Sequence, residues 1–260
     1  MNPNINKIDL LSNNSLDLSK EYWDEERNEK PKFRFDLGLE LISKDNKALK
    51  ELAEFKQLLN RYPNLVKESS DILSIACGNC WLEFNVLSSK KYNSFTGIDF
   101  SYHRVHKYAE IAASKIIQNC NVIDLIYGDF FNFNSEKKFD VIILSKAFHH
   151  FDEPLRLLRK LNSMLSEDGI IFIMGENYFL RRVRFYKFLA HFPKLILRKS
   201  YRDVSSLFPS YNDLFPPSYT KGDINYSYRD YCDLFTRSLF KHERFIFKEK
   251  PSTQAFILKK

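Results

Sequence analysis

Two adjacent histidines, His149 and His150 in the stretch FHHFDEP, follow an apolar run that reads as a strand, and Glu176 closes the next such run. An imidazole has an unperturbed pKa of about 6.5 and can take a proton near neutral pH. An alcohol is a poor nucleophile until its proton is removed, so this is the chemistry an oxygen acceptor needs. A carboxylate beside the ring would orient it and stabilise its charged form. In DILSIACGNCWLE (71–83), the small residues Ala76, Gly78 and Cys80 sit where a strand turns into a helix. Such a turn lets the backbone approach a ligand closely and point its amides at it. Asp99 ends the next strand, 21 residues after Gly78. There a carboxylate can accept hydrogen bonds from both hydroxyls of a ribose. Asp129 follows the third strand, placed to accept from an exocyclic adenine amine. Each acid alone is more often a loop cap; together, at the same ends of adjacent strands, they favour an adenosine ligand.

The four cysteines, Cys77, Cys80, Cys120 and Cys232, make no disulfide framework. A tetrahedral zinc site would need a second ligand pair at similar spacing, and none follows Cys77-x-x-Cys80. Redox use of that pair remains a competing reading; the favoured one makes the thiols packing residues of the turn. His103, His106, His191 and His242 have no metal-ligand spacing, so no metal is expected, and His103 and His106 are read as facing solvent from a helix.

The elements that must hold these residues are legible as alternating short apolar and longer amphipathic runs. The former are 72–76, 94–99, 122–127, 139–145 and 169–176; the latter, with helical spacing, are 81–91, 102–119 and 153–165. Five strands separated by helices make an α/β doubly wound parallel sheet. The closing KHERFIFKEKPSTQAFILKK has two strand-like runs around Pro251 and Ser252, an antiparallel C-terminal hairpin. Seven strands are expected in all. N-terminal helices precede the sheet, including an amphipathic piece at 22–29 and a helix over 45–61. A long segment, 177–239, rich in Tyr, Phe and Arg, reads as a lid insertion. No run reaches the roughly 18 apolar residues of a membrane span and the start lacks a leader pattern, which reads as a cytoplasmic protein.

With these residues in place, the chain resembles the class I S-adenosylmethionine-dependent methyltransferases from about 71 to 177. ILSIACGNCWLE stands at the glycine-rich first motif, FTGIDFS at the ribose-binding acid and IYGDFFNF at the adenine-side acid. FDVIILSKAFHHFDEPLRLLRKLNSMLSEDGIIFIMGEN matches the fourth strand, helix and fifth strand. The family usually has an acid at Ser74 and glycines at Ala76 and Cys80. The resemblance implies a Rossmann-like core over 67–260 behind an N-terminal extension of residues 1–66. It implies S-adenosyl-L-methionine as cofactor, leaving S-adenosyl-L-homocysteine, held by Ser74, Ala76, Cys77, Gly78, Asp99, Phe100, Gly128, Asp129, Phe130 and Ser145. Some small-molecule O-methyltransferases of the family, including sugar-modifying ones, use a histidine from this turn with an acid from the next strand. That makes His149 or His150 the base and Glu176 its orienter. His150 is the position the superfamily more often fills, and the residues alone do not separate the two.

The acceptor is expected to be a small polar molecule, phosphorylated or nucleotide-linked, such as a sugar or nucleotide sugar methylated on a hydroxyl. Tyr22, Trp23, Arg181 and Arg182 are its candidate contacts. The net charge of +7 is partly local: residues 178–202 hold eight Lys or Arg and no Asp or Glu. Three competing readings follow: a nucleic-acid methyltransferase, a lipid methyltransferase or peripheral membrane protein, and a catalytically silent scaffold keeping only the fold. The unusual first motif favours the last of these; the absence of a recognisable nucleic-acid module weighs against the first.

Overall fold

The computed structural model of the chain describes residues 3–10, 44–177, 189, 224–247 and 253–260. Residues along its central strands alternate between two cores. In strand β5 (Phe139–Ser145), Val141 and Ile143 face one core, Ile142 and Leu144 the other. β6 (Leu165–Asn177) and β8 (Thr253–Lys259) repeat the pattern with Ile170 and Ile171, Ala255 and Phe256. A strand buried on both faces has no polar side, which is why these runs are continuously apolar.

Helices cover both faces. The first core takes Phe55 and Leu58 of α1 (Asn46–Asn60), Phe84 and Leu87 of α2 (Trp81–Leu87), and Ala109, Ala112 and Ala113 of α3 (Ala109–Ile116). The second takes Leu157, Leu158 and Leu161 of α4 (Pro154–Met164) and Tyr231, Leu234 and Phe235 of α5 (Tyr228–Arg237). The 3.6-residue spacing of these apolar residues puts each set on one helix face.

With β1 (Asn4–Asp9), β2 (Asp71–Ile75), β3 (Tyr92–Asp99), β4 (Cys120–Tyr127) and β7 (Lys241–Ile246), the sheet order is β1-β4-β3-β2-β5-β6-β8-β7. The first six strands of that order run parallel, while β8 is antiparallel to β6 and β7 to β8. The doubly wound sheet and its antiparallel end match the sequence expectation. The count does not: the described residues form eight strands, because Asn4–Asp9, read as part of a helical extension, pairs in parallel with β4. Asn6 Nδ2 donates to Asp124 Oδ1 at 2.8 Å across this pair. His106 also departs from expectation. It lies in a π-helical turn (His103–Tyr108) leading into α3, is buried, and its Nε2 is 3.1 Å from the Leu125 carbonyl. The amphipathic piece at 22–29, most of the lid insertion and the Pro251–Ser252 turn fall outside the described residues. Among the described residues, no helix is long and apolar enough to cross a membrane and no group of His, Cys, Asp and Glu could hold a metal ion.

The junction of β2 and α2 is closed by small residues. A Cβ on Gly97 of β3 would lie 3.0 Å from Cys77 Sγ and 3.1 Å from both Cys80 Sγ and Phe95 Cε1. Both thiols are therefore seated on the bare backbone of the neighbouring strand. Burial pushes both thiol pKa values up, the state of packed rather than reactive cysteines. Behind the turn, Ser74 is fully buried and its hydroxyl donates to Glu83 Oε1 of α2 at 3.1 Å. Desolvation raises the Glu83 carboxyl to about 7; the Ser74 bond opposes this and the Asp99 charge adds to it.

Two outcomes are expected. Gly97→Ala should cost about 1–3 kcal/mol in denaturant unfolding through overpacking, and Cys80→Ala on that background should recover part of it; no loss would mean the turn has room to shift. Glu83 holds its proton more tightly when folded, so its contribution to stability falls as pH rises from the ordinary Glu range to about 7. Glu83→Gln keeps an acceptor for Ser74 and should be more stable than the wild type at pH 8 by on the order of 3 kcal/mol. Urea midpoints at pH 8 and at pH 5 check this, the difference shrinking at the lower pH.

Candidate functional site

The parallel register brings the C-terminal ends of β2, β3, β4, β5 and β6 to one edge: Ile75 is level with Ile98, Asp99 with Tyr127 and Ser145 with Met174. In open α/β sheets this edge is where ligands bind. The chain leaves β2 through Ala76, Gly78 and Cys80, with φ of 50°, 56° and 54°. Left-handed backbone costs a residue with a Cβ roughly 1–2 kcal/mol. The two positions where the resembling family has glycine are thus two that adopt this conformation. Cys80 N donates to the Cys77 carbonyl at 2.9 Å and Trp81 N to Asn79 Oδ1 at 3.1 Å, which turns the chain into α2.

Asp99 is the hinge of this edge. Its Oδ2 accepts from Gly78 N at 2.7 Å and its Oδ1 from Ser101 N at 2.8 Å, while its own carbonyl accepts from Gly128 N at 3.0 Å. One residue thereby ties together the loops after β2, β3 and β4. Burial raises the Asp99 carboxyl above its usual range, opposed by the Arg104 charge, the two amides and His150. Asp129 caps the short 3-10 turn Phe130–Asn132, its Oδ1 accepting from Phe131 N at 2.8 Å. Gly128 sits at φ 144°, and a Cβ there would meet Leu10 Cβ at 2.7 Å, so the residue following β1 lies against this loop.

At the other side of the edge, His149 and His150 occupy the 3-10 turn Phe148–His150, their ring centroids 4.2 Å apart. His149 Nδ1 lies 3.0 Å from Glu176 Oε2; the histidine is 14% exposed and the carboxylate not at all. It is thus His149, rather than the preferred His150, that meets Glu176, whereas His150 is close enough to Asp99 for its charge to favour the ionised carboxylate. Tyr231 OH donates to the same Glu176 Oε2 at 2.8 Å.

The other sequence candidates divide. Phe100 and Ser145 are half-buried at this edge, beside Asp99 and at the end of β5. Ser74 turns inward to Glu83, the Cys77 thiol turns to Gly97, and Phe130 is buried in the second core with its carbonyl accepting from Lys160 Nζ at 2.8 Å. Tyr22, Trp23, Arg181 and Arg182 lie outside the described residues. Sequence reasoning did not find Tyr231, which sits 55 residues beyond its partner. Nor did it find Lys146, whose left-handed backbone (φ 55°) sends Nζ to Glu51 Oε2 of α1 at 2.6 Å, its stem crossing over Gly175. Gly175 was the available signal, since a Cβ there would meet Lys146 Cγ at 2.6 Å.

Comparison with known proteins agrees with this geometry. The sequence profile described as "Methyltransferase domain" matches residues 73–171. The chain is 24% identical over 129 residues to (S)-tetrahydroprotoberberine N-methyltransferase of Eschscholzia californica, covering 50% of this chain and 36% of that one. It is 29% identical over 112 residues to N-methyltransferase 4 of Papaver somniferum, covering 42% and 31%. It thus spans about a third of the length of these curated relatives. Among solved structures, magnesium protoporphyrin IX methyltransferase from Synechocystis PCC 6803 with bound SAH aligns at a TM-score of 0.54 with 13% identity, over 81% of this chain and 83% of that one. The mitomycin 7-O-methyltransferase aligns at 0.52 with 15% identity, over 88% and 62%. Residues 73–171 thus resemble a methyltransferase domain, and the fold that carries them is the one found in these solved methyltransferase structures.

Proposed function

We propose that the protein is an S-adenosylmethionine-dependent methyltransferase that acts on a small polar acceptor, with a sugar or nucleotide-linked sugar hydroxyl as the favoured target and His149 as general base. The observation that carries the reading is the 3.0 Å pairing of His149 Nδ1 with buried Glu176, on the same sheet edge as Asp99 and Asp129.

The residues fit the cofactor. A Cβ on Gly78 would meet nothing within 4 Å among the described residues, which leaves open space over the turn there. A carboxylate offers about four lone-pair sites, and Asp99 spends one on Gly78 N and one on Ser101 N. Its other lone pairs are available to the two ribose hydroxyls, and Asp129 serves the adenine amine. When bound, S-adenosylmethionine supplies a methyl group on a cationic sulfur, open to in-line attack. The protein's task is then to hold the acceptor oxygen about 3 Å from that carbon and to take its proton. With Nδ1–H donated to Glu176, the Nε2 of His149 is left as the accepting nitrogen. After proton uptake, the imidazolium is balanced by Glu176.

A second reading has one observation in its favour: the sequence relatives are named N-methyltransferases. An ammonium acceptor must also lose a proton before it attacks, so the same pair would serve it. The acceptor's donor atom, rather than the machinery, distinguishes the two readings. Phosphorylated or nucleotide-linked acceptors are supported by the basic, aromatic stretch 178–202 of the sequence. Lipid and nucleic-acid acceptors, and a silent scaffold, remain as outcomes of the test.

Calorimetric titration should give micromolar affinity for S-adenosylhomocysteine, about −8 kcal/mol, and Asp99→Ala should weaken it about 10- to 100-fold. Failure of the wild type to bind would favour the scaffold. In a panel of sugar nucleotide, amine, lipid and RNA acceptors, His149→Gln should cut transfer about 10²- to 10⁴-fold at unchanged cofactor affinity. Equal transfer by His149→Gln and the wild type would remove the base assignment. Turnover with lipid or RNA and with no sugar nucleotide would remove the acceptor class.

A further inference from the structure

The carboxylate of Glu176 has one oxygen with two donors and one with none. Oε2 receives His149 Nδ1 at 3.0 Å and Tyr231 OH at 2.8 Å, whereas Oε1 is buried without a hydrogen-bond partner among the described residues. A buried carboxylate held through one oxygen depends heavily on each of its donors. Tyr231 belongs to α5, in the last part of the 177–239 segment, and is locked there. A capping box between Ser227 and Asp230 fixes the first turn of α5. The Tyr231 ring packs 4.7 Å from Phe256 and 5.6 Å from Phe148, centroid to centroid.

Nearby Tyr226 shows the ordinary solution for a phenol at a core boundary. Its hydroxyl donates to the backbone carbonyl of Phe151 at 3.2 Å, and the Glu176 charge helps to push its pKa up. Tyr231 instead spends its hydroxyl on the oxygen that His149 uses. We infer that Tyr231 is a positioning residue for methyl transfer: its hydroxyl fixes the Glu176 carboxylate and, through it, the orientation and tautomer of the His149 imidazole. The proposal rests on His149 being the base. It also gives the last part of the 177–239 segment a role in the chemistry, since Ile224 N donates to the His149 carbonyl at 2.8 Å a few residues earlier.

Among the described residues, the titratable and charged groups around this carboxylate are His149 and His150 from the turn and Tyr226 and Tyr231 from the returning segment. From β8, Gln254 opposes Glu176 and accepts from Arg244 Nε at 2.9 Å; Asp152 and Asp230 act with Glu176 on Tyr226. Tyr231 and the imidazole compete for one oxygen. Removing the phenol leaves that oxygen wholly to His149, which should favour the imidazolium and raise its pKa.

The test needs no acceptor. The full chain, labelled with ¹⁵N-histidine, is titrated by NMR, and the His149 signals are identified by their loss in His149→Gln. In the wild type, Nδ1 should carry the proton of the neutral ring. In Tyr231→Phe the midpoint should rise by about half a pH unit or more, with melting behaviour showing that the fold is kept. Tyr226→Phe, which deletes a neighbouring hydroxyl bonded to the Phe151 carbonyl, should leave the midpoint in place. An unchanged or lowered midpoint in Tyr231→Phe, or an equal shift in Tyr226→Phe, would overturn the proposal. The base assignment fails separately, if His149→Gln retains transfer while Tyr231→Phe still moves the titration.

Discussion

Everything at the functional edge depends on Asp99. A buried carboxylate at the end of a central strand must be compensated, and here the compensation comes from the Arg104 charge and from the amides of Ser101 and Gly78. Because those amides belong to different loops, satisfying one side chain fixes the spacing of both. The Asp99 carbonyl does the same for the loop after β4 through Gly128 N. A charge-assisted bond to a backbone amide is about twice as strong as a neutral one, and three loops converge on this one residue.

The turn itself shows how a departure from a common pattern is accommodated. Ala76 and Cys80 hold left-handed conformations that glycine adopts without strain. The strain is carried by the surroundings, which over-determine the turn. The two thiols drop onto Gly97, where no Cβ stands in the way, and Asn79 supplies the acceptor for Trp81 N. Glycine is therefore needed on β3 because side chains are present on the turn, an exchange of backbone freedom for packing across two strands. The acid expected at Ser74 is replaced in space by Glu83, which reaches the same buried place from α2.

Much of this was legible in the sequence, for a physical reason. Strands buried on both faces must be continuously apolar, so 72–76, 94–99, 122–127, 139–145 and 169–176 announce themselves, and so do the acids that end them. β1 could not be read that way. NINKID is an edge strand with only Ile5 packed against a core while Ile8 is exposed, and its pairing is secured by a side-chain bond from Asn6 to Asp124. His106 misled because its helix begins as a π turn, which rotates the ring inward onto the Leu125 carbonyl relative to regular α spacing. The choice between His149 and His150 was likewise undecidable from order alone. Adjacent residues in a 3-10 turn diverge by about a third of a revolution, and which one meets Glu176 depends on the turn's orientation.

The partners of Glu176 were hidden for a different reason, namely chain distance. Local patterns report neighbours within a strand or a helix turn, whereas Tyr231 and Gln254 reach Glu176 only after the chain has left the sheet and come back. That return is what makes the end of the chain part of the site. β8 inserts antiparallel beside β6 and sets its end, and α5 packs over it with Phe235 and Tyr231 against Phe256. A segment inserted between β6 and α5 is therefore anchored at both ends to the turn that carries the histidines: at one end Glu176 meets His149, at the other Ile224 N bonds the His149 carbonyl.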